Sequence, residues 1–355
     1  MWRKDKIMTK IEATHQKCSG CGGNLLFSPS TQSLKCPNCE SLYQIEAEKC
    51  CPKHDFGNQT QKQNAWENEN KVVKCQNCGA SVVLNRLEYA TNCPYCSSSL
   101  VVETSLIPGL KPDAIIPFQF DKVEASKKFA QGVKKKLFVP NKFKKQVPES
   151  KIQGIYIPTF LFDANSKSRY NGVLLRNETT RVNDRLVTTT KSFSISGNKQ
   201  MIHKNITIEA SAHISQTELD AIKPFNYSEF YEFNEDFLRG YFVEMNDTNI
   251  EDSHSTAREV MREAIKRDIL SGYSYDGVRY LDVSSDFSNE KYSYGILPTY
   301  RFNYSYKNKN YTTFMNGQTG QVGGGVPRSG VKITFFVIAM ILIILGIFIL
   351  VQYLK

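Results

Sequence analysis

The sequence predicts an α+β protein built in series. Two four-cysteine ribbons come first, then an α+β body, then one C-terminal apolar helix long enough to cross a bilayer. Three observations carry this. All ten cysteines fall in the first 96 residues, and eight of them form a duplicated pattern. Helical and alternating apolar periods are interleaved through the centre. Nineteen consecutive residues near the C-terminus carry no charge. At 355 residues and 41% hydrophobic, the chain suits two or three units with a real core, which excludes wholesale disorder and a small disulfide scaffold.

The chain opens MWRKDKIMTK, with no apolar core and no small-residue cleavage site, so no secretory signal is expected there. The cysteines then form four Cys-x-x-Cys pairs: Cys18/Cys21, Cys36/Cys39, Cys75/Cys78 and Cys93/Cys96. Fourteen residues separate the pairs in each half, and every second-half cysteine lies 57 residues after its counterpart. The flanks repeat as well, KCSGCGG beside KCQNCGA, which marks an internal duplication.

Two thiolates three residues apart on a tight turn can face one ion, and Gly22 and Gly79 permit the turn. Two such knuckles close a tetrahedral site with no open position, so two structural Zn²⁺ are expected, one per ribbon. Iron–sulfur sites favour other spacings, a thioredoxin-like pair needs a βαβ setting, and a cytoplasmic setting disfavours disulfides. The ribbons span 14–47 and 71–104, with the polar stretch 48–70 as a linker. Cys50 and Cys51 lie outside the repeat. With His54 they make CCPKH, read as spare cysteines near the linker or as a third site or reactive thiol lacking an orienting third group.

The net charge of +10 is concentrated: residues 112–151 hold ten Lys+Arg against four Asp+Glu. Eight thiolates and two Zn²⁺ would lower the total to +6 and leave residues 1–111 slightly negative. That argues against ribbons gripping a phosphate backbone, so nucleic acid is not the expected partner.

The body is expected over 112–316. Asp121–Leu137 reads as a helix opened by Asp121 and Glu124, with Ala125, Phe129, Val133 and Leu137 on its apolar face. Lys127, Lys128, Lys134 and Lys135 fall on the other face. They are either a solvated surface or a site for anionic lipid or an acidic partner. YIPTFLFD (Tyr156–Asp163) and ILPTYRFN (Ile296–Asn303) read as strands entering hairpins. Arg181–Ser196 and Tyr292–Phe314 also read as strand-rich, with a turn at Asn308–Lys309.

Ser255–Leu270 reads as a second helix burying Ala257, Val260, Met261, Ala264, Ile265 and Ile269, and the aromatic run Phe225–Phe242 reads as core. His203, His213 and His254 stand alone, without a catalytic motif, so no enzyme and no small-molecule substrate is expected.

Residues 317–331, with GQTGQVGGG, read as a flexible tether, and 332–354 as a transmembrane helix. The uncharged core Ile333–Val351 makes roughly 28 Å of helix, against a hydrocarbon thickness of about 30 Å. Arg328 and Lys332 precede it and only Lys355 follows, which places the body in the cytoplasm as a single-pass protein of the cell membrane.

Taken together, the ribbons, IIPFQFDK…KKLFVPNKFK, GIYIPTFLFD, KPFNYSEF, ILPTYRFNY and YTTFMNGQTGQV resemble a bacterial family of TFIIB-type zinc-ribbon proteins, many with C-terminal membrane helices. The resemblance covers about residues 15–330 and transfers the eight cysteine ligands. Glu40 and Ser97 stand where that pattern usually has a knuckle glycine. Some members are encoded beside PspA-like phage-shock and SPFH-domain proteins, so the resemblance implies a role at the membrane under envelope stress. The expected function is a non-enzymatic membrane-anchored adaptor that recruits protein partners, another membrane protein among them. A nucleic-acid-associated ribbon and an enzyme using Cys50 or Cys51 are the alternatives.

Overall fold

The computed structural model describes residues 17–57, 71–74, 79, 81–84, 90–92, 99–101, 112–145, 152–182, 185–211, 214–244, 246, 248–307 and 309–353. Near the N-terminus, β1 (Leu26–Ser28), β2 (Ser33–Lys35) and β3 (Leu42–Gln44) form a small antiparallel sheet that carries the first four cysteines. β4 (His54–Asp55), β5 (Lys71–Lys74) and β6 (Ser81–Leu84) join the main sheet, while β7 (Ala90–Asn92) pairs with β8 (Ser99–Val101). After β9 (Ala114–Ile115), α1 (Lys122–Lys135) starts where the Asp121 carboxylate accepts the Glu124 amide at 2.8 Å. α1 buries Ala125, Phe129 and Val133, but it ends before Leu137, which is exposed. A short α2 (Asn141–Lys145) follows.

The main sheet is organised by β10 (Ile152–Val182), β11 (Arg185–Glu209) and β14 (Gly277–Tyr306). At roughly 3.3 Å per residue, 31 residues of β10 run about 100 Å. The segments read as two hairpin strands are therefore direct partners: Tyr156 faces Pro298, Ile157 faces Leu297 and Pro158 faces Ile296 in the antiparallel β10–β14 register.

Burial along β10 is unbroken from Gly154 to Phe162, as in a strand covered on both faces. Beyond a bulge at Asp163 it alternates, as in a strand covered on one face. Asp163 anchors the change of regime by accepting the Asn205 amide at 2.7 Å and pairing with Lys53 at 3.2 Å.

The intervening elements are α3 (Gln216–Ile222), β12 (Tyr231–Glu232), β13 (Phe242–Glu244) and α4 (Ile250–Ser271). α3 opens with a complete capping box between Ser215 and Glu218. α4 covers the arm made by β10, β11 and β14. Its face of Ala257, Met261, Ile265 and Ile269 packs on Phe162, Leu174 and Ile195, with Val260 and Ala264 at its margin. The aromatic run is core, as expected: Phe225, Phe230, Phe237 and Tyr241 are buried. Phe118 stacks on Tyr241 at 4.1 Å beside Tyr156 and Tyr300, whose hydroxyls donate to the Phe237 and Phe120 carbonyls.

Two expectations are corrected. Residues 48–57 of the supposed linker are docked on the body. The Glu232 amide donates to the Glu48 carbonyl at 2.8 Å, β4 pairs with β14, and Phe56 enters the α4 core. Apolar burial by Cys51 and Phe56 holds this segment down; residues 58–70 lie outside the described residues.

The supposed flexible tether 317–331 is also packed. β15 (Lys309–Asn316) pairs with β14 and with β16 (Val322–Gly324), and the Gly317 amide donates to the Pro298 carbonyl at 2.8 Å. Its glycines serve close approach: a Cβ on Gly323 would meet the Ala221 Cβ at 2.6 Å. α5 (Gly330–Tyr353) then runs 24 residues, with no buried side chain.

Candidate metal centre

The first knuckle closes when the Cys18 amide donates to Gly23 O at 2.7 Å and the Gly22 amide to Cys18 O at 2.8 Å. Gly22 takes φ +70, the left-handed region. The second knuckle repeats the turn: Glu40 N donates to Cys36 O at 2.9 Å and Cys36 N to Ser41 O at 3.0 Å. Here Glu40 takes the left-handed position at φ 60, so the glutamate forms the glycine's turn at a conformational cost. The β1–β3 sheet sets the two knuckles face to face.

All four sulfurs of Cys18, Cys21, Cys36 and Cys39 lie within 4.8 Å of one another, with Cys18–Cys39 and Cys21–Cys36 both at 3.4 Å. A tetrahedral ion with bonds of about 2.3 Å needs sulfur–sulfur edges of about 3.8 Å, so the donor set and its spacing fit a metal ion. Cys18 and Cys36 are buried, while Cys21 and Cys39 face solvent.

A hydroxyl network surrounds the cluster. Tyr43 Oη accepts the Ser19 amide at 3.1 Å and lies 3.2 Å from Cys18 Sγ, so its proton can point at the sulfur. That hydrogen bond leads in lowering Cys18 to about 6. The Gly23 amide lowers Cys21, yet the thiols of Cys36 and Cys39 outweigh it and push Cys21 up to about 12. Ser41 Oγ, 3.2 Å from Cys39, lowers that thiol. Thiols crowded in this way titrate apart, and a bound cation relieves the conflict.

This unit is not free-standing. Phe27 packs edge-on to Phe237 at 5.3 Å, its amide donates to Arg239 O at 3.1 Å, and Gln32 Nε2 donates to Phe118 O at 2.8 Å. Cys18, Cys36 and Tyr43 belong to the same apolar cluster as Phe118 and Tyr156 of the body. Cys75, Cys78, Cys93 and Cys96 lie outside the described residues. Gly79, 57 residues after Gly22, takes φ +76, the same left-handed turn.

The remaining candidates separate. Cys50 is exposed, while Cys51 sits against the Ile116 cluster, where burial raises its thiol. His54 Nε2 meets Asp113 at 2.8 Å instead of a cysteine. His203 is buried on Ser166 Oγ at 2.9 Å and its pKa is lowered by burial. His254 is buried against Glu290, and His213 lies outside the described residues.

Of the four candidate lysines on α1, Lys127, Lys134 and Lys135 are exposed. Lys128 is engaged with Glu124 at 3.3 Å and lies over the Phe120 ring at 5.0 Å. Sequence reading missed a second basic group at the end of α1, where Lys136, Arg328 and Lys332 converge. The sequence signal was confined to Arg328 and Lys332, which flank the apolar span; nothing in the sequence pointed to Lys136.

The chain is 28% identical over 318 residues to an uncharacterized protein, YdjG, of Bacillus subtilis (strain 168), an alignment covering 89% of this chain and 91% of that protein. No family model and no solved structure matches it.

Proposed function

We propose that the protein is a non-enzymatic adaptor. In this reading two structural zinc ribbons and an α+β body are held at the cytoplasmic face of a bacterial membrane by one C-terminal span. There the protein gathers protein partners, in a setting such as envelope stress. The observation that carries the reading is the junction of body and span. Ser329 N donates to Phe138 O at 2.7 Å, and Lys332 Nζ donates to Val139 O at 2.8 Å and Asn141 Oδ1 at 2.7 Å. Phe138 meets Phe336 of α5 edge-on at 5.3 Å. A span gripped at its first turn orients the body as well as concentrating it at the bilayer.

Zinc suits four thiolates, and a closed set leaves no position for substrate. The basic residues Arg328 and Lys332 before α5 favour a cytoplasmic body. The far end of the β10–β11 arm, exposed from Leu186 to Lys191, offers partners an extended surface.

The test is crosslinking in cells, followed by purification from detergent-solubilised membranes, with the full chain and a chain ending at Ser329. The truncated chain should stay folded and metal-loaded, leave the membrane fraction and lose the captured partners. Replacing Ile338–Val351 with an unrelated apolar sequence, which spares the junction, should restore them. Capture of the same partners by the truncated chain, or of nucleic acid by either, overturns the adaptor reading.

A further inference from the structure

Beside the junction, the loop after α1 and the segment leading from β16 into α5 line a cleft of about 700 Å³. Its walls include Lys136, Leu137, Gly325, Val326, Arg328 and Ile333. That volume is within the range of small-ligand sites, about 300–1,000 Å³. Ile333 is the first residue of the uncharged span, so this cleft opens where a bilayer would begin.

Its chemistry is divided. Lys136 is half-buried and Arg328 exposed, and among the described residues neither has a carboxylate partner. The third cation, Lys332, is committed to Val139 O and Asn141. The rest of the wall is apolar and open to solvent: Leu137 is 62% exposed, and Val326 and Ile333 are half-buried. Such exposed aliphatic groups next to a span suit acyl chain or glycerol, and a Lys–Arg pair suits a phosphate, which Arg binds with two parallel hydrogen bonds.

We propose that this cleft binds the phosphate headgroup of an anionic membrane phospholipid, seated between Lys136 and Arg328 with its glycerol end against Leu137, Val326 and Ile333. The inference rests on reading α5 as a membrane span. Burial and the nearby Arg328 both lower Lys136, so an anion between them removes a penalty that the protein otherwise carries. The exposed lysines Lys127, Lys134 and Lys135 of α1 are not among the residues that line this cleft.

The test uses the full chain in dodecyl maltoside micelles and native mass spectrometry. The probes are phosphatidylglycerol, phosphatidylcholine of the same chains, and inorganic phosphate. One phosphatidylglycerol should be retained per chain, with phosphatidylcholine held about tenfold more weakly. Lys136→Gln with Arg328→Gln should weaken phosphatidylglycerol about tenfold or more. Lys127→Gln with Lys134→Gln and Lys135→Gln should leave it unchanged. Arg328→Gln alone, with an unaltered melting curve, should give an intermediate loss and guards against a folding artefact.

Equal binding of the two lipids, or parental binding by the double variant, overturns the proposal. Inorganic phosphate displacing the lipid at equal concentration makes it a free-phosphate site and overturns the lipid assignment. Flotation of the full chain with neutral phosphatidylcholine vesicles in high salt reports the span separately. Failure to float overturns the anchor reading, whereas flotation without lipid preference overturns the headgroup site alone.

Discussion

The ring of Phe56 stacks on the imidazole of His254, with centroids 3.7 Å apart and planes 20° from parallel. This contact fastens the segment after the first cysteine unit to α4. The same imidazole meets Glu290 of β14, which also receives two hydrogen bonds from Arg258. Three remote stretches of chain therefore share one aromatic and ionic knot.

Glu290→Gln should destabilise the body by about 2 kcal/mol, the scale of a charged hydrogen bond. Burial acts to raise the Glu290 pKa, but Arg258 and His254 outweigh it and hold the value below that of a free glutamate. A depressed carboxylate contributes stability above its unfolded pKa, about 4.3, and loses it as pH falls through the lower folded value. Urea unfolding across pH should show the gap between parent and variant closing below about pH 4.3. A gap independent of pH would assign the loss to packing.

Metal removal should disturb the body as well as the cysteine unit, because Cys18, Cys36 and Tyr43 share a cluster with Phe118 and Tyr156. Elemental analysis should find two zinc per full chain, and Cys18→Ser with Cys36→Ser should leave one. With structural zinc contributing on the order of 10–16 kcal/mol of apparent binding energy, the double variant should melt at least about 10 °C lower. An unchanged melting point would mean that the unit and the body are energetically independent.

Tyr43→Phe removes the hydroxyl beside Cys18 while keeping the buried ring. Loss of an outer-shell partner typically costs about 10–100-fold in metal affinity. Chelator competition should read that loss at neutral pH with the melting point of the metal-free protein little changed. Parental affinity would make the hydroxyl a bystander.

Glu40→Gly should stabilise the metal-loaded protein by about 0.5–1 kcal/mol, because Glu40 holds φ 60 where its counterpart in the first knuckle is a glycine. Its ion pair with Lys35, exposed and 3.6 Å long, offsets little. Denaturant midpoints compared with excess zinc present decide the sign.

Gly323→Ala should cost about 1–3 kcal/mol, since the new Cβ would lie 2.7 Å from the Ala221 backbone. Gly325→Ala, with 3.9 Å to its nearest neighbour, should be close to neutral. Equal melting points for both variants would mean that β16 is not held against α3.

What the sequence determined by itself were the features written in local spacing. Cys-x-x-Cys pairs specify a thiolate cluster because ligand geometry is set within a few residues. The helix after Asp121 was legible because 3.6-residue periodicity and an N-cap carboxylate are local signals; α4 was legible by periodicity from Ser255, but not its first turn from Ile250, capped by Asn249. The uncharged run Ile333–Val351 was legible as a helix apolar all round and long enough to cross a bilayer, because length and composition are local properties.

Tertiary structure decided what local signals leave degenerate. Glycine reads alike as hinge or as close contact, and only the approach of Ala221 to Gly323 separates the two. YIPTFLFD and ILPTYRFN each look like a short strand. The pairing of the strands that contain them, β10 and β14, over 23 positions, and the change from two-sided to one-sided burial at Asp163, depend on partners more than a hundred residues away. Lys136 and Arg328 are 192 positions apart, and only the docking of α5 on the loop after α1 makes them one site. Such pairings follow from which buried surfaces fit together, and that information resides in no single stretch of chain.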